Sequence, residues 1–242
     1  MRFGVVKAAL RASGVLVSVL ALFCSVGAHA SPGMDWLEAQ QDVDGSYGGG
    51  ADSLATRPQA TAEVLRAQVA LDRTLGLGFE PGLAWLNAHA EVNTEFLARK
   101  VIVNAEAGRM ATVWASRLLL HQNADGGFGH RAGFDSSVTD TALAVEALGA
   151  ANYGSMPQVG RAVAFLLARQ LGNGGWADGA NDASVSLSAV SLRALWPYRS
   201  TWQGVAAALT RAQGFLSSRR EANALWGEDF VSARCCWRSC PG

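Results

Sequence analysis

The stretch Leu-Leu-Leu-His-Gln-Asn-Ala-Asp-Gly-Gly-Phe, residues 118–128, decides how this chain folds. Apolar residues at helical spacing lead into it from Trp114 and stop at its asparagine, which predicts a helix that ends in a tight turn. Its two glycines can adopt a positive φ, and Asp125 can bond its own backbone two residues on. The turn therefore returns Phe128 to the helix, where burying the ring removes about 150–250 Å² from water.

Gln122 and a second helix complete this unit. The Gln122 amide stands at the end of the first helix, where it can satisfy backbone groups that lack a helical partner. From residue 140 the chain reads Asp-Thr-Ala-Leu-Ala-Val-Glu-Ala-Leu, and Asp140 or Thr139 is expected to cap the helix that this segment forms. The predicted unit is a helical hairpin.

The spacing of a glutamine, five residues and an aromatic occurs three times. It joins Gln41 to Tyr47, Gln122 to Phe128, and Gln170 to Trp176. Each turn is followed by a small-residue-rich segment, and helices are predicted at 60–70, 140–150 and 184–195. His89 and Arg220 stand in the glutamine place of two weaker copies, the second of which keeps Trp226. Such repetition predicts helical hairpins at 34–80, 82–110, 112–156 and 158–200, with a fifth begun at 203–230.

The Gln-x-x-Asp-Gly-Gly-aromatic turn and the Asp-Thr-Ala-Leu-Ala helix resemble the repeats of squalene-hopene cyclases and protein prenyltransferases. The resemblance covers about residues 34–231. It implies an all-α fold, the α/α toroid, in which inner and outer helices close into a barrel and the glutamine–aromatic pairs tie outer helices together. Related toroids close with about five to seven hairpins, so this chain is expected to be an incomplete toroid with an uncovered apolar face.

Composition and charge predict an exported globular protein. Half of the 242 residues are apolar and 17% are charged, which suits one domain with a core. Residues 1–30 read as a secretory signal, with three basic residues, an apolar run at 14–26 and the cleavage site Ala28-His29-Ala30. That run is too short to span a membrane, and the remaining 17 basic and 20 acidic residues form no basic stripe for nucleic acid. We therefore predict a secreted or periplasmic protein that is not transmembrane and binds no nucleic acid.

The repeat domain is predicted at residues 31–233, and the tail at 234–242 does not continue its pattern. Cys235, Cys236 and Cys240 fit neither a four-ligand metal site nor a complete set of disulfides. A shifted reading frame is the alternative, because GC-rich codons read two bases later would encode Leu-Leu-Leu-Ala-Leu-Val-Pro-Gly, the apolar helix that the pattern requires. We therefore predict that the gene continues past Gly242 in another frame and adds further repeats or domains of a longer extracellular protein.

The resemblance also implies where a cyclase would hold its acid. The family's cyclases carry Asp-x-Asp-Asp directly before Thr-Ala, and the central Asp protonates an alkene or epoxide. This chain has Ser137-Val138-Thr139-Asp140 at that place, so that Thr139 occupies the position of the acid. A threonine hydroxyl is not an acid near neutral pH, which argues against protonation-initiated cyclisation. Asp140 is left as a catalytic candidate or a helix cap.

The sequence gives little support for a metal site. The prenyltransferase branch uses a zinc ion held by Asp, Cys and His, but His89, His121 and His130 have no cysteine near them. His121 and His130 are expected to be surface or turn residues. The segment Asp42-Val43-Asp44-Gly45 resembles the opening of a calcium loop but lacks the downstream glutamate. We therefore predict no metal and no cofactor.

Two classes of function remain. The first is a secreted, non-catalytic toroid that acts as a binding or structural module, with no ligand specified by the sequence. The second is an enzyme, either a terpenoid cyclase or prenyltransferase acting on an isoprenoid or an α/α-barrel enzyme acting on a glycan. A glycan enzyme needs two facing carboxylates. The candidates are Asp135, Asp140, Asp178 and Asp182.

Overall fold

The computed structural model describes residues 32–50, 53, 55–90, 93–179, 182–221 and 226. The predicted signal at 1–30 and the cysteine-containing tail at 234–242 lie outside the described residues. The chain divides into two compact units, one ending at Ala39 and the other beginning at Gln40.

Most of the described residues are helical and the two strands are only two residues each, which confirms the all-α prediction. The helices are α1 (Pro32–Ala39), α2 (Arg57–Ala70), α3 (Phe79–Ala88), α4 (Thr94–Glu106), α5 (Thr112–Leu119), α6 (Val138–Ala150), α7 (Pro157–Ala168), α8 (Val185–Leu195) and α9 (Val205–Ser218). A 3-10 turn, Trp196–Tyr198, follows α8. Two-residue strands, β1 (Phe128–Gly129) and β2 (Ser136–Ser137), pair antiparallel with Phe128 opposite Ser137. Helix α1 belongs to the first compact unit, and all the other elements belong to the second.

The second unit has an inner and an outer row of helices. The inner helices α2, α4, α6 and α8 pack on one another in chain order, and the outer helices α3, α5, α7 and α9 each pack against one or two of them. Alanines such as Ala98, Ala144 and Ala194 are fully or almost fully buried in the inner helices. Small side chains such as these let neighbouring inner helices approach closely.

Three inner helices end in the same way. The residue after the C-cap adopts a left-handed conformation in each, with φ of 55° at Asp72, 68° at Gly108 and 65° at Asn152. The next backbone N–H then donates to a carbonyl five residues back, as from Tyr153 to Leu148 at 2.8 Å. This is the Schellman arrangement, which satisfies carbonyls at a helix end and reverses the chain towards the next outer helix.

Several predicted boundaries were wrong by a few residues. Helix α5 ends at Leu119, before Gln122, because the chain already turns at Leu120. The boundary between the hairpins predicted at 34–80 and 82–110 falls within α3, which contains Pro81. Proline is tolerated there because it occupies the first turn of the helix, where its missing N–H has no helical partner.

Candidate functional site

The three glutamines of the turns make the same pair of contacts. Each side-chain Nε2 donates to the carbonyl four residues on and to a carbonyl at the start of the next outer helix. The pairs of acceptors are Gly45 and Gly78 for Gln41 (2.8 and 2.7 Å), Gly126 and Gln158 for Gln122 (2.9 and 2.7 Å), and Gly174 and Ala208 for Gln170 (2.8 and 2.8 Å). One amide therefore holds a turn together and fixes the following hairpin to it.

The turn aromatics are buried and also make one repeated contact. Their backbone N–H groups donate to a hydroxyl on the following inner helix, at 2.9 Å in each turn. The pairs are Tyr47 to Thr61, Phe128 to Thr141 and Trp176 to Ser188. The indole of Trp176 also donates to the carbonyl of Leu166 at 2.8 Å, and that of Trp226 donates to Leu216 at 2.7 Å. Trp176 thus joins the preceding outer helix α7 to the following inner helix α8.

The turn glycine that precedes the aromatic by two residues cannot be replaced without strain. Gly126 has a φ of 88°, and a Cβ there would lie 2.8 Å from the carbonyl oxygen of Arg161 on α7. Asp125 accepts from the backbone N–H of Gly127 at 3.0 Å, as the turn chemistry predicts. The turn therefore lies directly against the next outer helix and packs on it.

The hairpin without a glycine turn is held differently. His89 occupies the glutamine place, and its ring stacks on Trp85 with centroids 5.0 Å apart. Lys100 of α4 reaches back to the carbonyls of Asn87 and His89 at the end of α3. Burial, and to a lesser degree Arg117, lowers the pKa of the Lys100 ammonium group. A cation from the inner helix here replaces the amide, since a positive charge is favourable at a helix C-terminus.

The acid position, Thr139, lies in the first turn of α6. Ser137 is the N-cap of this helix, because its Oγ accepts from the backbone N–H of Asp140 at 2.9 Å. The prediction that Asp140 or Thr139 caps the helix was therefore wrong, since Asp140 is the third helical residue. Asp178, from the turn after Trp176, accepts from the Val138 N–H at 2.7 Å and from the Thr139 hydroxyl.

Asp140 and Asp178 thus both approach this helix terminus. Burial raises the pKa of the Asp140 carboxyl, as Asp178 and Glu95 also do, whereas the Ser137 hydroxyl and His130 oppose the shift. A carboxyl with a raised pKa can hold a proton closer to neutral pH and act as a general acid. Asp135 and Asp182 are exposed.

His121 lies in a turn, one of the two positions expected for it, but it is buried rather than at the surface. It is only 8% exposed, and its Nδ1 lies 2.8 Å from the Thr94 hydroxyl. Thr94 is the first residue of α4, so this contact joins the end of an outer helix to the start of an inner one. Burial lowers the pKa of the imidazole, and Asp140 opposes that shift. His130 is exposed.

The inner helices carry a face rich in charged residues. On α4, Glu95, Arg99 and Glu106 follow one another at spacings that share one side, while Lys100 and Asn104 contact α3 on the opposite side. The inner face of the row is therefore the face that carries these three residues. Thr139 and Glu146 share the corresponding side of α6, because they are seven residues apart.

Ion pairs cross this inner face from helix to helix. Glu106 accepts two hydrogen bonds from Arg66, each of 3.0 Å, and Arg66 also donates to Glu146 at 3.0 Å. Glu146 in turn accepts from Arg193 at 2.7 and 3.0 Å. We call Glu106, Arg66, Glu146 and Arg193 the charge cluster. It joins all four inner helices, and Arg66 spans from the first to the third.

Arg66 is the centre of the charge cluster. Only 6% of its side chain is exposed, compared with 12% for Glu146 and 28% for Glu106. Burial by itself would lower the pKa of the guanidinium, but Glu146, Glu106 and Glu63 together raise it. Sequence analysis missed this cluster. Its only signal was the recurrence of isolated charges, such as Glu146 and Arg193, in otherwise apolar or small-residue helices.

The segment that resembles a calcium loop holds an arginine. Asp44 accepts from Arg57 at 2.7 Å, and the same guanidinium lies 3.4 Å from Asp42. The pKa of Asp44 is lowered to about 2, mainly because the side chain and backbone of Ser46 donate hydrogen bonds to its carboxylate. Burial opposes this shift, and Arg57 adds to it. Within the described residues no group of three or more potential metal-ligating side chains comes together. None of the described helices is long and apolar enough to cross a membrane.

Comparisons with known proteins relate the chain to solved structures. No family model and no curated protein sequence matches it. A protein from Actinoplanes superposes with a TM-score of 0.63 at 20% identity, over 80% of this chain and 65% of that one. The type II terpene cyclase MstE from Scytonema gives 0.63 at 19% identity, over 80% and 62% of the two chains. The ent-copalyl diphosphate synthase from Streptomyces platensis gives 0.58 at 22%, over 78% and 39%.

These similarities confirm the terpenoid cyclase-like α/α-toroid fold predicted from the turns. The named neighbours include enzymes that act on isoprenoids, and one complex of an MstE variant holds the substrate geranylgeranyl dihydroxybenzoate. This chain spans less than two thirds of the length of each of these structures. At identities of 19 to 22%, the likeness establishes a shared fold.

Proposed function

We propose that this chain is an exported domain of the terpenoid cyclase fold that acts by binding rather than by cyclising an isoprenoid. The observation that carries the proposal is the charge cluster on the inner face. A toroid that encloses a polyprenyl chain needs an apolar inner surface, whereas Arg66 and Glu146 here join the first and third inner helices through paired charges. An apolar ligand placed on this face would remove water from the charges without offering them hydrogen bonds.

Thr139 supports the same proposal. Its hydroxyl donates to Asp178, so the side chain at the acid position is a hydrogen-bond donor to a carboxylate. A hydroxyl with no strongly acidic proton cannot protonate an alkene near neutral pH. The acid position and the inner face thus depart from cyclase chemistry independently of each other.

A cyclase-like enzyme is the second candidate. The similarities to solved structures favour it over a non-catalytic domain, because named neighbours are terpene cyclases. The local observation in its favour is the raised pKa of Asp140 beside Asp178, since a buried carboxyl next to a second one can keep a proton. In that case Asp140 would donate the proton, and Asp178 would hold Thr139 and the start of α6.

Product formation distinguishes the two candidates. The purified chain is incubated with geranylgeranyl dihydroxybenzoate and, separately, with squalene, and the extracts are separated by chromatography and analysed by mass spectrometry. The binding proposal predicts that substrate is recovered unchanged. A cyclic isomer formed by the wild-type chain and lost in Asp140→Asn would overturn it and establish the enzyme. Asp135→Asn, at an exposed carboxyl, is the matched control.

Export is the remaining part of the proposal, and it depends on the predicted signal at residues 1–30. Expression of the full chain in a bacterial host, followed by cell fractionation, is expected to place a product lacking this segment outside the cytoplasm. Full-length protein retained in the cytoplasm would contradict it.

A further inference from the structure

A cavity of about 650 Å³ opens at the C-terminal ends of the inner helices. Its wall includes all four residues of the charge cluster, together with Asn152 and Trp196. This volume falls in the range of about 300–1,000 Å³ that is usual for small-molecule sites. Because Thr139 and Asp140 stand in the first turn of α6, the cavity lies at the opposite end of that helix from the acid position.

The polar part of the wall is electrically balanced. The charge cluster supplies two guanidinium and two carboxylate groups, so that its formal charges cancel. A carboxylate has about four lone-pair directions, and Glu106 and Glu146 therefore keep accepting capacity after binding the arginines. Such a wall can accept and donate several hydrogen bonds without attracting an ion of either sign.

The other part of the wall is apolar and includes an aromatic ring. Trp196 is half-buried and is held by Arg199, whose guanidinium carbon lies 5.0 Å from the ring centroid. Val145 and Ala194 continue this apolar surface. A ligand that fits must therefore present hydrogen-bonding groups on one side and C–H groups on the other.

We propose that this cavity binds a neutral saccharide. Vicinal hydroxyls both donate and accept, which matches alternating carboxylate and guanidinium groups, and the C–H face of a pyranose ring matches the indole of Trp196. A polyprenyl chain offers no partner to the charge cluster, and a charged ligand gains no net attraction. This inference supplies a ligand class for the proposed binding role, on which it rests.

Asn152 provides a test that leaves the fold intact. Its φ of 65° is one that glycine adopts freely, so Asn152→Gly removes the amide from the cavity wall while keeping the end of α6. Asp72→Gly is the matched control, because Asp72 has a φ of 55° at the end of α2 and is not part of the wall. Both variants are expected to be at least as stable as the wild type.

Binding is measured by calorimetry and by tryptophan fluorescence, with methyl glucoside and cellotriose as neutral probes and glucuronate and glucosamine as charged ones. The wild type and Asp72→Gly are expected to bind a neutral probe, and Asn152→Gly to bind it about fivefold to tenfold more weakly, as the loss of one hydrogen bond implies. Absence of binding to either neutral probe, preference for a charged probe, or an unchanged affinity in Asn152→Gly would each overturn the inference. No isoprenoid is present, so these results are separate from the test of cyclisation.

Discussion

Replacement of Gln122 by glutamate is expected to destabilise the fold although the side chain keeps its shape. In the wild type, Nε2 donates to the carbonyls of Gly126 and Gln158 at 2.9 and 2.7 Å. Glutamate places an oxygen at that position, so both carbonyls lose their donor and face a carboxylate. A buried acceptor left unsatisfied costs about 1–3 kcal/mol, and two half-buried ones therefore cost about 2–4 kcal/mol.

Arg161 offsets part of this loss. Its guanidinium donates to Gln122 Oε1 at 2.8 Å and would form an exposed ion pair with glutamate, which contributes about 0–1 kcal/mol. The net decrease in the free energy of unfolding is then about 1–4 kcal/mol, or a fall in Tm of about 2–16 °C for a domain of this size.

Urea unfolding followed by circular dichroism at pH 7 measures this difference. Gln203→Glu is the control, because Gln203 is exposed and makes the same change of charge. It is expected to alter stability by less than about 0.5 kcal/mol. If Gln122→Glu is as stable as Gln203→Glu, the glutamines do not hold neighbouring hairpins together.

Three further changes test other parts of the fold. Trp176→Ala removes a fully buried ring and is expected to lower the free energy of unfolding by about 3–5 kcal/mol. An unchanged urea midpoint would show that this ring does not hold the two helices together. Arg66→Met leaves Glu106 and Glu146 without their shared cation and is expected to lower the free energy of unfolding by about 3–5 kcal/mol. A stability equal to that of the wild type would show that the charge cluster is not buried. Burial lowers the folded-state pKa of His121 below its unfolded value of 6.5, so the unfolded state binds more protons and stability falls as the pH drops below about 6.5. His121→Gln should therefore lose less stability than the wild type between pH 7 and pH 5, and identical losses would refute this assignment.

The parts of the fold that local sequence controls were predicted well. The three turns place a glutamine, a glycine and an aromatic within seven residues, and all the groups that form the turn lie in that segment. The glycine at 126 is required by its φ of 88°, and such a requirement can be read from one short stretch. The helical hairpins, and through the resemblance the toroid fold, followed from these turns.

Contacts between distant residues were missed. Arg66 meets Glu146 across 80 positions in the chain, and no spacing within either helix indicates that partner. Asp178 reaches Thr139 from a different turn, so the surroundings of the acid position depended on how two hairpins pack. The burial of His121 likewise depends on Thr94 of a preceding helix.

The N-cap of α6 was also predicted wrongly from the sequence. The sequence analysis named Asp140 or Thr139 as the N-cap, whereas Ser137, which is also a good N-cap residue, holds that position. The structure selects Ser137 because β2 holds residues 136–137 in extended conformation, which ends only at Val138. A two-residue strand has no sequence signature of its own.

Charges, rather than an apolar chamber, occupy the inner face of the toroid. Equilibrium binding of geranylgeranyl dihydroxybenzoate is the sharpest test of this arrangement, because binding needs an apolar chamber whether or not an acid is present. The chain is titrated with this ligand, and tryptophan fluorescence is recorded alongside calorimetry. The charge cluster predicts no saturable binding at ligand concentrations below its aggregation limit. Saturable binding of one ligand per chain would contradict this arrangement.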